Sequence, residues 1–227
     1  MRSVFVLGVV LAASAWQVAQ ADCAADFARD NQVKPAAGPY RAIQAIDTQT
    51  RTGAEPLQPA SAKTIIEEFV PNKALRSRSN NVLGAHETVA VQGVGGWTRA
   101  APDAPWEAMA DEEVKELARQ RAFDLYEPSV QARNLRCLPT EKASNGRSLR
   151  RYQYEDQVGE VRTEVSIRFD AQSGLPVDKR VRSQLKLGRL ETRSDIRVRY
   201  EFDRRIRIAA PAPQPQAAEV AVSLAQH

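Results

Sequence analysis

The side chains able to do chemistry in this 227-residue chain are few in kind: two histidines, two cysteines, and a dense alternation of arginines with acids toward the C-terminal end. His86 and His227 stand in no H-E-x-x-H arrangement, and no G-x-S-x-G elbow is present. Neither a zinc-hydrolase helix nor a serine nucleophile on a strained turn can therefore be assembled. Two histidines and two cysteines make no metal-ligand spacing. The cluster Gly93-Val94-Gly95-Gly96 lacks the G-x-G-x-x-G order that cradles a phosphate. Carboxylates alternate with arginines along exposed strand positions, where no cleft raises a pKa. The expectation is a non-enzymatic protein with no cofactor and no metal.

The arginines are the more informative chemistry. Arg162, Arg168, Arg180, Arg182, Arg193, Arg197 and Arg199 share one side of a strand pattern, with Arg204, Arg205 and Arg207 beyond. One reading is a contact surface for an anionic partner, such as phospholipid head groups, lipopolysaccharide or an acidic protein tail. The other is a solvated sheet face, its arginines paired across strands with Glu164, Glu191, Asp195, Glu201 and Asp203. Nucleic acid is disfavoured, because no aromatic side chains interleave with these arginines. A net charge of +4 and an isoelectric point near 9.2 add little weight to any polyanionic partner.

The elements that would carry these residues read clearly. Val161, Thr163, Val165, Ile167 and Phe169 alternate with charged or polar neighbours, and so do Leu190, Thr192, Ser194, Ile196, Val198, Tyr200 and Phe202. Strict period-two alternation means strands with one apolar and one solvated face. Val177, Val181, Leu185 and Leu187 form a looser strand between them, bounded by Asp170-Ala171-Gln172-Ser173-Gly174 and Gly188 as turns. Upstream, strands are expected at Tyr40–Thr48, Lys63–Val70, Ala74–Ser79, Glu87–Gln92, Val130–Leu138 and Ser148–Glu155. Helices are expected at Asp22–Gln32 and Pro105–Arg121; in the second, Trp106, Met109, Val114 and Leu117 make an apolar stripe. Residues 50–60 read as a loop. A sheet of eight to ten strands must curl. The fold class is mainly β (α+β): a single curled antiparallel sheet forming an unclosed half-barrel, its concave apolar face covered by helices.

Met1-Arg2, an apolar run from Val4 to Trp16, and Val18-Ala19-Gln20-Ala21 together have the plan of a signal peptide cleaved after Ala21. The run is roughly 13 residues, short of the ~20 needed to span a bilayer, so no membrane-spanning segment is expected. Three parts follow: a signal peptide over 1–21, a half-barrel domain over 22–208, and a Pro/Ala/Gln-rich tail over 209–227 too poor in core residues to fold alone. Cys23 and Cys137 match in number the need of one disulfide in an oxidising compartment, with two free thiols as the alternative. No C-x-x-C motif suggests redox activity.

Tyr40-Arg-Ala-Ile-Gln44, Ile65-Ile-Glu-Glu-Phe-Val-Pro-Asn72, Gly96-Trp97, Pro105-Trp-Glu-Ala-Met109, Gly174-Leu-Pro-Val177, Tyr200-Glu-Phe202 and Ile206-Arg-Ile-Ala-Ala-Pro211 stand in an order that resembles the LolA/LppX-like superfamily of bacterial envelope proteins, which includes the sensor domain of RseB-type regulators. The resemblance spans most of the chain after the leader. It implies a periplasmic carrier or sensor of a lipid, acyl chain or acylated protein held in an apolar cavity under a helical lid. The side chains it implies are Val165, Ile167, Phe169, Val181, Ile196, Val198 and Tyr200 from the sheet, with Trp106, Met109, Val114 and Leu117 from the lid. Each buried methylene would contribute about 0.8 kcal/mol. The same side chains could instead fill one another's space as a closed core, leaving a protein–protein module of the envelope that works through its arginine face. In lipoprotein carriers of the superfamily an arginine before a proline latches the lid; the matching position, before Pro71, is Val70.

Overall fold

A computed structural model describes residues 22–32, 37–81, 84–121 and 132–212. Residues 1–21, where a signal peptide is expected, and residues 213–227 of the expected tail lie outside them. After helix α1 (22–30) the chain lays down β1 (Tyr40–Thr52), β2 (Gln58–Val70), β3 (Ala74–Asn81), β4 (Gly84–Val91), β5 (Gly95–Arg99) and the short β6 (Glu107–Ala108). Helix α2 (Asp111–Arg121) follows, then β7 (Arg133–Lys142), β8 (Ser148–Val158), β9 (Val161–Asp170), β10 (Pro176–Leu187) and β11 (Leu190–Phe202).

These strands form one antiparallel sheet in the order β6-β5-β4-β3-β2-β1-β11-β10-β9-β8-β7, not closed into a barrel. Two meanders meet at its centre, where β1 pairs with β11 from Tyr40 opposite Phe202 to Thr52 opposite Leu190. The two outer strands, β6 and β7, are consecutive in sequence, so the segment containing α2 links one edge of the sheet to the other.

Residues directly opposite one another share a face, so the register defines both faces. One carries the row Tyr154, Val165, Val181, Ile196, Ile46, together with Tyr152, Ile167 and Val198. On it sit two packed clusters. Phe27 of α1 lies 5.2 Å from Tyr152 and 5.3 Å from Tyr154 by ring centroid, above Val165, Ile167 and Phe169. Tyr40, stacked on Phe69 at 4.8 Å, joins Leu75 and Ala90, with Leu117 of α2 and Phe202 against them. The other face carries most of the charged side chains of the sheet, although Lys63, Glu67, Arg150 and Lys179 stand on the apolar one.

Each helix is fixed by a different device. In α1 the buried stripe is Cys23, Phe27 and Asp30, at i, i+4 and i+7, while Ala24 and Ala28 face outward. Cys23 is joined to Cys137 on β7 across 114 residues; by the chain-entropy model such a closure contributes roughly 4 kcal/mol. Asp30, 1% exposed, accepts two hydrogen bonds from Arg150 (2.5 and 2.7 Å) and one from the Tyr152 hydroxyl (2.8 Å). Burial first, then this bond to a carboxylate, push the Tyr152 phenol above its ordinary range.

The second helix begins at Asp111, not at Pro105. The Glu113 carboxylate reaches back to accept from the Ala110 backbone N–H at 3.1 Å, as a capping residue does. Asp111, Glu112 and Glu113 suit the positive end of the helix dipole. The residues before them are extended and add β6 to β5. The helix sits on Gly96, where an added Cβ would lie 2.6 Å from Val114 Cγ2 and 3.0 Å from Met109 Sδ.

Two outcomes follow. Asp30→Ala, which leaves Arg150 only its bond to the Ala171 carbonyl and removes the acceptor of the Tyr152 hydroxyl, lowers stability by roughly 3 kcal/mol in denaturant titration, the low end of the range for breaking a buried charge pair. Gly96→Ala drives α2 off β5 and costs about 1–3 kcal/mol, as overpacking does; an unchanged midpoint would show that the helix gives way freely.

Candidate functional site

The seven sheet residues expected to line an acyl cavity share the apolar face, whereas Trp106 lies against Arg99, a residue of the other face. Val165, Ile167 and Phe169 are 4%, 4% and 0% exposed beneath α1. Val181, Ile196, Val198 and Tyr200 continue the face and are half-buried. Met109 and Val114 rest on Gly96, and Leu117 covers the Tyr40 cluster. Trp106 precedes the helix, its ring 4.5 Å beneath the Arg99 guanidinium.

The large cavity, about 1250 Å³, has a different lining. None of those eleven side chains touches it, and it draws instead on β1, β2 and β7 to β11 near the β10–β11 and β1–β2 turns. Of the seven arginines expected to form a partner surface, Arg162, Arg182, Arg193 and Arg197 line it. A smaller hollow of about 250 Å³, sharing Glu164 and Arg182 with the first, adds Arg168 and Arg180. Arg199 lies outside both and pairs with Glu201 at 2.7 Å.

The register arranges the charged lining into rows. One row runs Asp47, Asp195, Arg182, Glu164, Glu155 and Arg133 across six strands, in the order β1, β11, β10, β9, β8, β7. Asp47 faces Asp195 and Glu164 faces Glu155, an opposition of like charges that weakens a sheet unless cations attend it. Arg180 binds Asp195 at 2.5 Å and Arg197 reaches it at 3.2 Å. The hydrogen bond from Arg180 is the main reason Asp195 is held down at about 2. The next row is Gln49, Arg193, Gln184, Arg162 and Gln157, one residue from each of β1, β11, β10, β9 and β8. Arg193 and Gln184 both donate to Glu191, at 2.7 and 2.6 Å, and Arg51 donates to its second oxygen. Burial pushes Glu191 upward, but these donors outweigh it and hold the carboxyl at about 2.

The arginine face combines ion pairs with part of a cavity wall. Three of its seven arginines pair across strands, Arg168 with Asp178, Arg180 with Asp195 and Arg182 with Glu164. Arg193, Arg197 and Arg199 pair along their own strand, and residues of this face line the cavity together with the row Thr48, Ser194, Ser183, Thr163 and Asp156 of the other. Sequence reasoning did not find Gln49, Gln157, Arg133 or Asp47, whose place in the cavity depends on long-range register. Among the described residues no group of three or more His, Cys, Asp or Glu is arranged to hold a metal. No described helix is long and apolar enough to cross a membrane.

No protein-family model matches the chain, and no curated protein matches its sequence. Solved structures similar to it include a DUF1329 family protein from Desulfovibrio piger (7% identity, 82% of this chain and 92% of that one, TM-score 0.26). MucB in complex with MucA(peri) matches at 18% identity over 87% of this chain and 60% of that one, TM-score 0.31. A domain described as an outer membrane lipoprotein-sorting protein from Vibrio parahaemolyticus matches at 8% identity over 82% and 93%, TM-score 0.30.

Glu191 and Asp195 are both more acidic in the folded chain than the ordinary carboxylate near pH 4. Their charge therefore favours the folded state at neutral pH, and that contribution is lost as pH falls from about 4 toward 2. Melting temperature should hold level from pH 7 to 5 and then drop through that window. Glu191→Gln should lower it at pH 7 and make the acid loss shallower; an identical acid limb would remove Glu191 from the account.

Proposed function

We propose that the chain is an exported, non-enzymatic protein of the bacterial envelope that engages a partner protein through its arginine-rich face. The observation that carries this reading is the composition of the main cavity: Arg162, Arg182, Arg193 and Arg197 line it, and none of the apolar side chains expected to hold an acyl chain does. Export is supported by the leader-like start of the sequence and by a disulfide that needs an oxidising compartment. The apolar clusters beneath α1 and α2 act as core, which supports a filled half-barrel whose binding lies on the other side.

A second reading is favoured by one observation. Val181, Ile196, Val198 and Tyr200 stay half-buried on the apolar face, where an acyl chain or the acyl group of a lipidated protein would find contact. The two readings use opposite faces, and adjacent residues of β11 separate them. A photo-crosslinking amino acid placed at Arg197 reports on the charged face, and one at Val198 reports on the apolar face. Irradiation of intact cells should give a discrete protein adduct from position 197, weakened by raised salt as exposed charge contacts are, with none from position 198. A stoichiometric lipid adduct from position 198 alone would overturn the protein-partner reading in favour of the carrier.

A further inference from the structure

The row Gln49, Arg193, Gln184, Arg162, Gln157 has a regularity that packing does not require. It crosses five strands with glutamine and arginine strictly alternating, each directly opposite the next, and all five side chains line the 1250 Å³ cavity. No acid interrupts it. Arg193, 48% exposed, is steadied by Glu191, whereas Arg162 is exposed and has no ion pair among the described residues.

We propose that this row is a recognition ladder for an extended acidic segment of the partner, lying across the strands with two of its carboxylates on Arg162 and Arg193. The proposal rests on the reading of the charged face as the contact surface and specifies what that surface recognises. Arg162 on β9 and Arg193 on β11 are two inter-strand steps apart, about 10 Å. A segment in the polyproline II conformation advances about 9 Å in three residues and returns to the same side. Acids spaced three apart therefore meet both guanidinium groups, each of which can hold a carboxylate by two parallel hydrogen bonds. The glutamines between and beside them offer a donor and an acceptor each, as the amide groups of a peptide require. The adjoining row sets the limit on charge. Its Asp47, Asp195, Glu164 and Glu155 would repel a continuous polyanion, so the ladder favours spaced acids over nucleic acid, sulfated glycan or an anionic bilayer.

The test uses the oxidised chain from Asp22 onward and fluorescent nine-residue peptides of one composition, rich in proline and carrying two glutamates. In one the glutamates are three apart; in its isomer they are adjacent. Fluorescence anisotropy should show the spaced peptide binding at least tenfold tighter than its isomer. Arg162→Gln and Arg193→Gln should each remove that preference, with melting curves showing the variants folded. Equal affinity for the isomers overturns the ladder, as does tighter binding of heparin or of phosphatidylglycerol vesicles. The two levels fail separately. A protein adduct from position 197 that survives both glutamine variants overturns the ladder and leaves the charged-face reading standing; no adduct at all overturns that reading itself.

Discussion

The pairing of the first strand with the last is the constraint on which the rest of the structure depends. Each meander can form from neighbours in sequence, but only the β1–β11 ladder makes them one sheet. With it come the shared apolar face, the rows of charge and the cavity, because every row described above crosses from β11 into β1. The pairing is backbone hydrogen bonding between segments more than a hundred residues apart, and no local pattern specifies it. What stabilises it locally is side-chain packing at one end, where Tyr40, Phe69 and Phe202 stack beside the junction, and charge at the other, where Arg51 meets Glu191.

Much of the sheet was legible because alternation is a local signal. The spans expected for β9 and β11 match the structure, and the turn between β9 and β10 follows from Asp170, whose carboxylate accepts from the Gln172 and Ser173 backbone and from the Ser173 hydroxyl. Segments without an apolar face to bury were misread. Residues 58–60, with Pro59 at their centre, read as loop; the structure makes them strand because β1 supplies a partner. Residues 105–108 read as helix because Pro105 suits a first turn, yet β5 offers an open edge and Glu113 caps the helix later.

For the site, residue types were legible and juxtaposition was not. The arginines on β9, β10 and β11 were visible as one face. Gln49 and Gln157 sit on strands whose alignment with those three comes only from the assembled sheet, and a lone glutamine carries no signal of its own. Asp30 illustrates the same limit in the core. An acid near the end of a helix looks like solvent-facing charge, and only the approach of Arg150 and Tyr152 turns it into a buried anchor.

The order of the strands also bears on how the chain comes together. Chains are made from the N-terminal end and domains tend to form in that order, so β1 and its meander exist before β11 does. Until then one side of β1 is a thirteen-residue edge with unsatisfied backbone groups, the kind of edge that invites pairing with a second chain. Cys137 precedes β11 in the chain, so its bond to Cys23 can be made while that edge is still open, drawing the far side of the sheet toward the near one. The covalent link thus limits how far the halves can wander before the last strand arrives to close the gap.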